Sequence, residues 1–184
     1  MPISLDGSGL INGLELPTDS MQPGLVHINT TSFNAASSVS LNNIFSSAYD
    51  DYSIQLRTTA TAAGIVGCRL RIDNVDSVSA NYVYQRTFSA GSAVSAARAT
   101  SATFAPLTVG RSSGVSVGIG TIVGPFIVTE TNFLVLGIEP NGGIETIYSA
   151  SKHSLLTSYT GLTIFPESGT ITGTVRVYGY RNSQ

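Results

Sequence analysis

The most constraining feature of the sequence is a two-residue rhythm. In Tyr52-Ser53-Ile54-Gln55-Leu56-Arg57, the residues Tyr52, Ile54 and Leu56 share one face of an extended chain, and Ser53, Gln55 and Arg57 share the other. Strand side chains alternate in direction, so this run predicts a half-buried antiparallel strand whose core face is the apolar one. Near the end of the chain, Ile171, Val175 and Val177 alternate with Thr170, Thr172, Thr174, Arg176 and Tyr178. Gly173 interrupts them and marks a bulge or a close backbone approach. Runs of this kind predict strands over 25–33, 38–45, 51–60, 64–73, 81–90, 100–108, 114–123, 125–139, 143–149, 161–166 and 170–180. The one window with a helical alternative is Ser92 to Thr100, where Ala93, Val94, Ala96, Ala97 and Ala99 allow a short helix. Asp73-Asn74-Val75-Asp76, the segment from Glu139 to Gly143 and the segment from Pro166 to Gly169 carry turn chemistry that favours hairpins. Many short strands joined by tight turns predict an all-β chain, a β-sandwich of jelly-roll type, with a closed barrel as the alternative.

Residues 1–24 differ from the rest. Gly7, Gly9 and Gly13 are interspersed with Ile3, Leu5, Leu10, Ile11, Leu14 and Leu16, and Pro17 and Pro23 bracket Met21. A segment so rich in Gly and Pro cannot build its own core, yet its apolar residues need a surface to cover. It predicts an extended N-terminal arm ahead of a sandwich domain over 25–184. The arm docks either on its own domain or on a neighbouring subunit.

Charge excludes several function classes. The chain carries nine Lys plus Arg against eleven Asp plus Glu, a net charge of −2, and only Lys152 is a lysine. The arginines are scattered singly, so no basic patch is present to neutralise phosphates or hold an anionic membrane, and no nucleic-acid or membrane partner is expected. The segment from Gly114 to Leu136 is broken by Gly, Pro, Glu130 and Asn132 and predicts no membrane span. Cys68 is the only cysteine, which rules out an internal disulfide and predicts a small buried hydrophobe. The opening residues lack a basic start and an apolar run, so synthesis in a cytoplasm without export is expected.

Groups able to carry chemistry are sparse. His27 and His153 stand apart from other ligands at metal spacing, and no GxSxG elbow is present. Asp50 and Asp51 are the only adjacent carboxylates, and neighbours on a strand point to opposite faces, so they read as a turn cap before the Tyr52 strand and not as a glycosidase pair. Asp73, Asn74 and Asp76 offer too few oxygens for calcium. The two Gly-rich runs around Gly110 to Gly114 and Gly118 to Gly120 lack the lysine of a phosphate loop and read as a loop and strand kinks. Tyr82, Tyr84, Tyr148, Tyr159, Tyr178 and Tyr180 are candidates for either sheet-face packing or a sugar-stacking platform. No cofactor, metal site or catalytic residue is expected, and the chain is not read as an enzyme.

Three segments point to a family. Ser32-Phe33 followed by Ser40-Leu41-Asn42-Asn43-Ile44-Phe45-Ser46-Ser47-Ala48-Tyr49-Asp50-Asp51-Tyr52 resembles the opening of small β-rich structural proteins of tailed bacteriophages. Gly161-Leu162-Thr163-Ile164-Phe165-Pro166, with Ser168 through Arg181, resembles the close of the same proteins, and Ile3 through Gly13 resembles their arm. The resemblance, shared with tail-fibre and capsid-decorating proteins alike, implies a virion part made in the host cytoplasm. The first reading is a capsid decoration or cement protein, homotrimeric, binding the major capsid protein or other virion proteins, because 184 residues leave no long fibre shaft. The arm residues Ile3, Leu5, Leu10, Ile11, Leu14, Leu16 and Met21 would make the coat and subunit contacts. The alternative is a tail-fibre or tail-tip protein binding a host receptor or glycan, with Arg111, Tyr148, His153 and Tyr159 as loop candidates for glycan contact. Hydroxyl side chains cost less to desolvate and order than Lys or Glu, so a surface rich in Ser and Thr and poor in lysine suits packing against other subunits.

Overall fold

A computed structural model describes residues 24–181 together with Ser4–Leu5 and Ile11–Asn12. These two short segments, β1 and β2, pair antiparallel, with Leu5 opposite Ile11. The main chain then runs through β3 (Leu25–Ala36), β4 (Val39–Leu41), β5 (Tyr49–Ala60), β6 (Gly64–Ile72), β7 (Val75–Asp76), β8 (Tyr82–Ala90) and β9 (Ala93–Ala102). It continues through β10 (Ala105–Gly110), β11 (Ser116–Val123), β12 (Thr131–Pro140), β13 (Ile144–His153), β14 (Gly161–Pro166) and β15 (Ile171–Arg181). None of the described residues is helical.

Beyond the β1–β2 pair, the strands form two antiparallel sheets. The larger has the order β3-β15-β5-β11-β12-β13-β8-β9, and the smaller has the order β10-β6-β14-β4 with β7 beside β6. Each sheet supplies one wall of a single core: Tyr52, Ile54 and Leu56 with Ile122, Phe133, Val135, Val175 and Val177 from the large sheet, and Val66, Cys68, Leu70, Leu107, Leu162 and Ile164 from the small one. This is the burial that the alternation in β5 and β15 predicts, and it makes the chain a β-sandwich.

Tyrosine hydroxyls close gaps that the ladders leave. The Leu70 amide donates to the Tyr82 hydroxyl at 2.8 Å, in the space between the end of β10 and β7. The Tyr52 hydroxyl accepts from the Ser46 amide at 2.7 Å and donates to the Ser46 carbonyl at 3.0 Å, pinning the connection from β4 to β5. Both give an acceptor to a backbone amide, Leu70 or Ser46, for which no backbone acceptor lies in the ladders.

Several details differ from expectation. Ser92 to Thr100 is not helical: Ala93–Ala102 pairs with β8 through a turn in which Gly91 has φ 57°. Alanine spacing allows a helix, but the Gly91 turn puts the segment within reach of β8's unpaired edge, and the ladder wins. The strand expected over 100–108 divides, its first part staying in the large sheet and its second crossing to the small one. Gly118 and Gly120 are not kinks. They lie in an unbroken register between β5 and β12, and a Cβ on Gly118 would meet the Leu107 carbonyl of β10 at 2.8 Å, so glycine lets the two sheets approach.

Candidate functional site

The structure exposes an apolar area at the centre of the large sheet's outer face. In β12 burial alternates residue by residue, with Phe133 and Val135 buried and Leu134, Leu136 and Ile138 facing solvent. Register extends the area sideways. Ile119 on β11 lies opposite Leu136, which lies opposite Tyr148 on β13, while Leu134 lies between Thr121 and Ala150. Leu134 is 68% exposed and Tyr148 60%. Adjacent strands are about 4.8 Å apart, so these side chains form one continuous surface and not isolated apolar residues. A contiguous apolar area of this kind makes the face a candidate contact surface. Charge sits at its border, where Lys152 pairs with Glu130 at 2.9 Å. The sequence holds a signal for this face that strand-by-strand reading passed over: Phe133-Leu134-Val135-Leu136 is apolar on both faces, as in a strand covered on both sides.

The four candidate glycan residues are not brought together. Tyr148 stands on the outer face, in β13. His153 and Tyr159 are corrected from exposed loop positions to the core, with relative exposures of 0% and 2%. His153 ends β13 with its ring edge-on to Tyr82 and Tyr159, at centroid distances of 4.4 and 5.2 Å. Its Nε2 lies 3.0 Å from the Ser77 hydroxyl and its Nδ1 3.2 Å from the Tyr159 hydroxyl. Burial lowers the His153 pKa, and two hydroxyls that can each donate or accept suit a neutral imidazole. The cluster holds the end of the sandwich together and offers no ring to a sugar. Arg111 follows β10, and its Nε donates to Glu139 at 2.7 Å.

Glu139 lies opposite Glu145 across the β12–β13 ladder, a carboxylate pair that sequence spacing does not show. Burial raises the pKa of Glu139, while hydrogen bonds from Glu139 and Asn141 hold that of Glu145 below the usual carboxylate range. Glu139 is therefore the member that keeps a proton longer, bonded to its neighbour.

The remaining candidates have structural partners. Asp50 and Asp51 lie within β5 and not ahead of it, and Asp51 caps by accepting from the Gly124 amide at 3.2 Å. Asp73 and Asn74, with φ of 49° and 64°, form the two-residue turn between β6 and β7. Asp76 pairs with Arg71 at 2.6 Å. Cys68 is buried and its thiol pKa is pushed up to about 12. Among the described residues no group of three or more His, Cys, Asp or Glu is placed to hold a metal ion. Of the arm candidates, Ile3, Leu10, Leu14, Leu16 and Met21 lie outside the described residues, and for Leu5 and Ile11 only the strand pairing is described.

No protein-family model matches the chain, and no curated protein matches it in sequence.

Proposed function

We propose that the chain is a bacteriophage virion structural protein that assembles with itself, as a homotrimer, and decorates or cements the capsid shell. The observation that carries this reading is the exposed apolar centre of the large sheet, Ile119, Leu134, Leu136, Ile138 and Tyr148. Covering such a surface with another subunit removes apolar area from water, which favours association. The N-terminal arm would reach across neighbouring coat subunits and supply the shell contact.

The strand order supports a jelly-roll class for the sandwich. In a jelly roll whose eight strands are lettered B to I, one sheet reads B-I-D-G and the other C-H-E-F. The small sheet's β4-β14-β6-β10 fits the first order, and β5, the β11-β12-β13 meander, β8 and β9 fit the second. The meander takes the place of one strand, while β15 and β3 extend the edge beyond β5. Fold class says nothing about function by itself, so the weight rests on the surface and on the sequence resemblance.

Replacing Leu134 and Leu136 together by Asp tests the surface without touching the core. Light scattering is expected to give a multimer for the native chain and a monomer for the double variant, with unchanged circular dichroism. A native chain that stays monomeric at tens of micromolar would overturn the reading. Deleting residues 1–22 is expected to leave the domain folded and abolish incorporation into particles. Imaging of intact particles separates head decoration from the alternative, a tail-fibre or tail-tip role.

A further inference from the structure

An open pocket of about 580 Å³ lies at one end of the sandwich, lined among others by Arg86, Phe88, Arg111, Glu139, Glu145 and Glu167. Its carboxylates already have protein donors: Arg111 Nε to Glu139, Asn141 Nδ2 to Glu145 at 2.7 Å, and the Ile65 amide to Glu167 at 3.0 Å. Arg86 differs. It is 8% exposed, its buried Nε has no hydrogen-bond partner, and among the described residues no carboxylate lies within ion-pair distance of it, Glu167 and Glu139 acting on it only at longer range. Its guanidinium rests against the rings of Phe88 and Tyr84 at 4.7 and 5.3 Å. Ring contacts offset only part of the cost of taking an arginine out of water, and an arginine stays charged in a protein. What the pocket lacks is an acceptor opposite Arg86.

The neighbours restrict what that acceptor can be. A guanidinium fork matches a carboxylate in two parallel hydrogen bonds. Glu167 and Glu139 near it disfavour a dianion such as phosphate. Glu167 has one oxygen engaged by the Ile65 amide and the other available to an O–H group, whereas Glu145 is bonded to Asn141 and Glu139 and lies 3.9 Å from Arg111. We propose that the pocket binds a monoanionic, polyhydroxylated ligand of the sugar-acid class, its carboxylate on Arg86 and a hydroxyl donating to Glu167. Phe88 then forms the apolar wall beside the carbon skeleton. The site is separate from the outer sheet face, so neither proposal depends on the other.

Ligand-observed saturation-transfer NMR on the full chain tests this with glucuronate as the probe and glucose, acetate and phosphate as comparators. Saturable glucuronate binding is expected, with each comparator about tenfold weaker or more. Arg86→Lys keeps the charge but loses the fork and is expected to weaken glucuronate by about tenfold. Ser95→Trp, on the exposed strand at the pocket's mouth, is expected to block binding while leaving the buried residues intact. No saturable glucuronate binding at about 50 mM overturns the proposal, and so does any comparator binding equally well. Folded Arg86→Lys and Ser95→Trp variants that both bind as the native chain does would also overturn it. A change in oligomeric state, read by light scattering on the same samples, bears only on the assembly reading.

Discussion

Burial between two tyrosines makes His153 a pH-dependent part of the core. Its folded pKa is lowered from the usual 6.5, so the unfolded chain takes up a proton that the folded chain refuses. The stability it contributes is fully present above 6.5 and is lost as pH falls through the folded value. Glu139 acts in the opposite sense: its raised pKa makes the folded chain hold a proton more firmly, so its unfavourable contribution shrinks as pH falls toward 4.5. A comparison of variants separates the two. His153→Gln is expected to lower the native chain's melting temperature at pH 7 and to reduce the further drop between pH 7 and pH 5, measured by thermal melts. Cys68 belongs to the same scale. A thiol pushed to about 12 inside the core is almost wholly protonated at pH 8. Thiol reagents at that pH are expected to leave the folded chain unlabelled and to modify it only in denaturant.

Turns and close approaches decide how the strands pair. Asp73 and Asn74 both have positive φ, the pair of conformations that a two-residue hairpin turn needs to match strand twist. Asn tolerates the left-handed region and a β-branched residue does not. Asn74→Val is therefore expected to cost about 1–2 kcal/mol in denaturant unfolding and Asn74→Gly to cost nothing or to stabilise. Gly173 is a second control point. The register with β3 slips between Ile171 and Gly173, and a Cβ at Gly173 would run into the Arg57 carbonyl of β5. Since that obstacle is backbone, Gly173→Ala is expected to cost about 1–3 kcal/mol, toward the upper end. The sequence marked both places, because turn residues and an interior strand glycine are local signals. It misled at Ser92 to Thr100, where alanine spacing suits a helix and only β8's free edge selects a strand.

At the scale of the molecule, one face of the large sheet fills the sandwich and the opposite face carries the exposed apolar residues Ile119, Leu134, Leu136, Ile138 and Tyr148. If that area holds copies together, the contact is driven by apolar burial and not by charge, and screening should leave it intact. The multimer mass is expected to be the same at about 0.05 M and about 1 M salt, and a fall to monomer at high salt would assign the contact to charged groups instead. The alternation of residues such as Tyr52, Ile54 and Leu56 by itself determined that the chain is all-β and which faces meet in the core, because strand periodicity is a local property. Tertiary structure alone decided which strands stand side by side. Register across β12 and β13 placed Glu139 against Glu145, and register across β11, β12 and β13 put Ile119, Leu136 and Tyr148 in one row. It also buried His153 and Tyr159 and left Arg86 without an acceptor. Those relations depend on pairing register and on how the sheets pack, and alternation, which repeats every two residues, says which face a side chain takes but not which residue stands across from it.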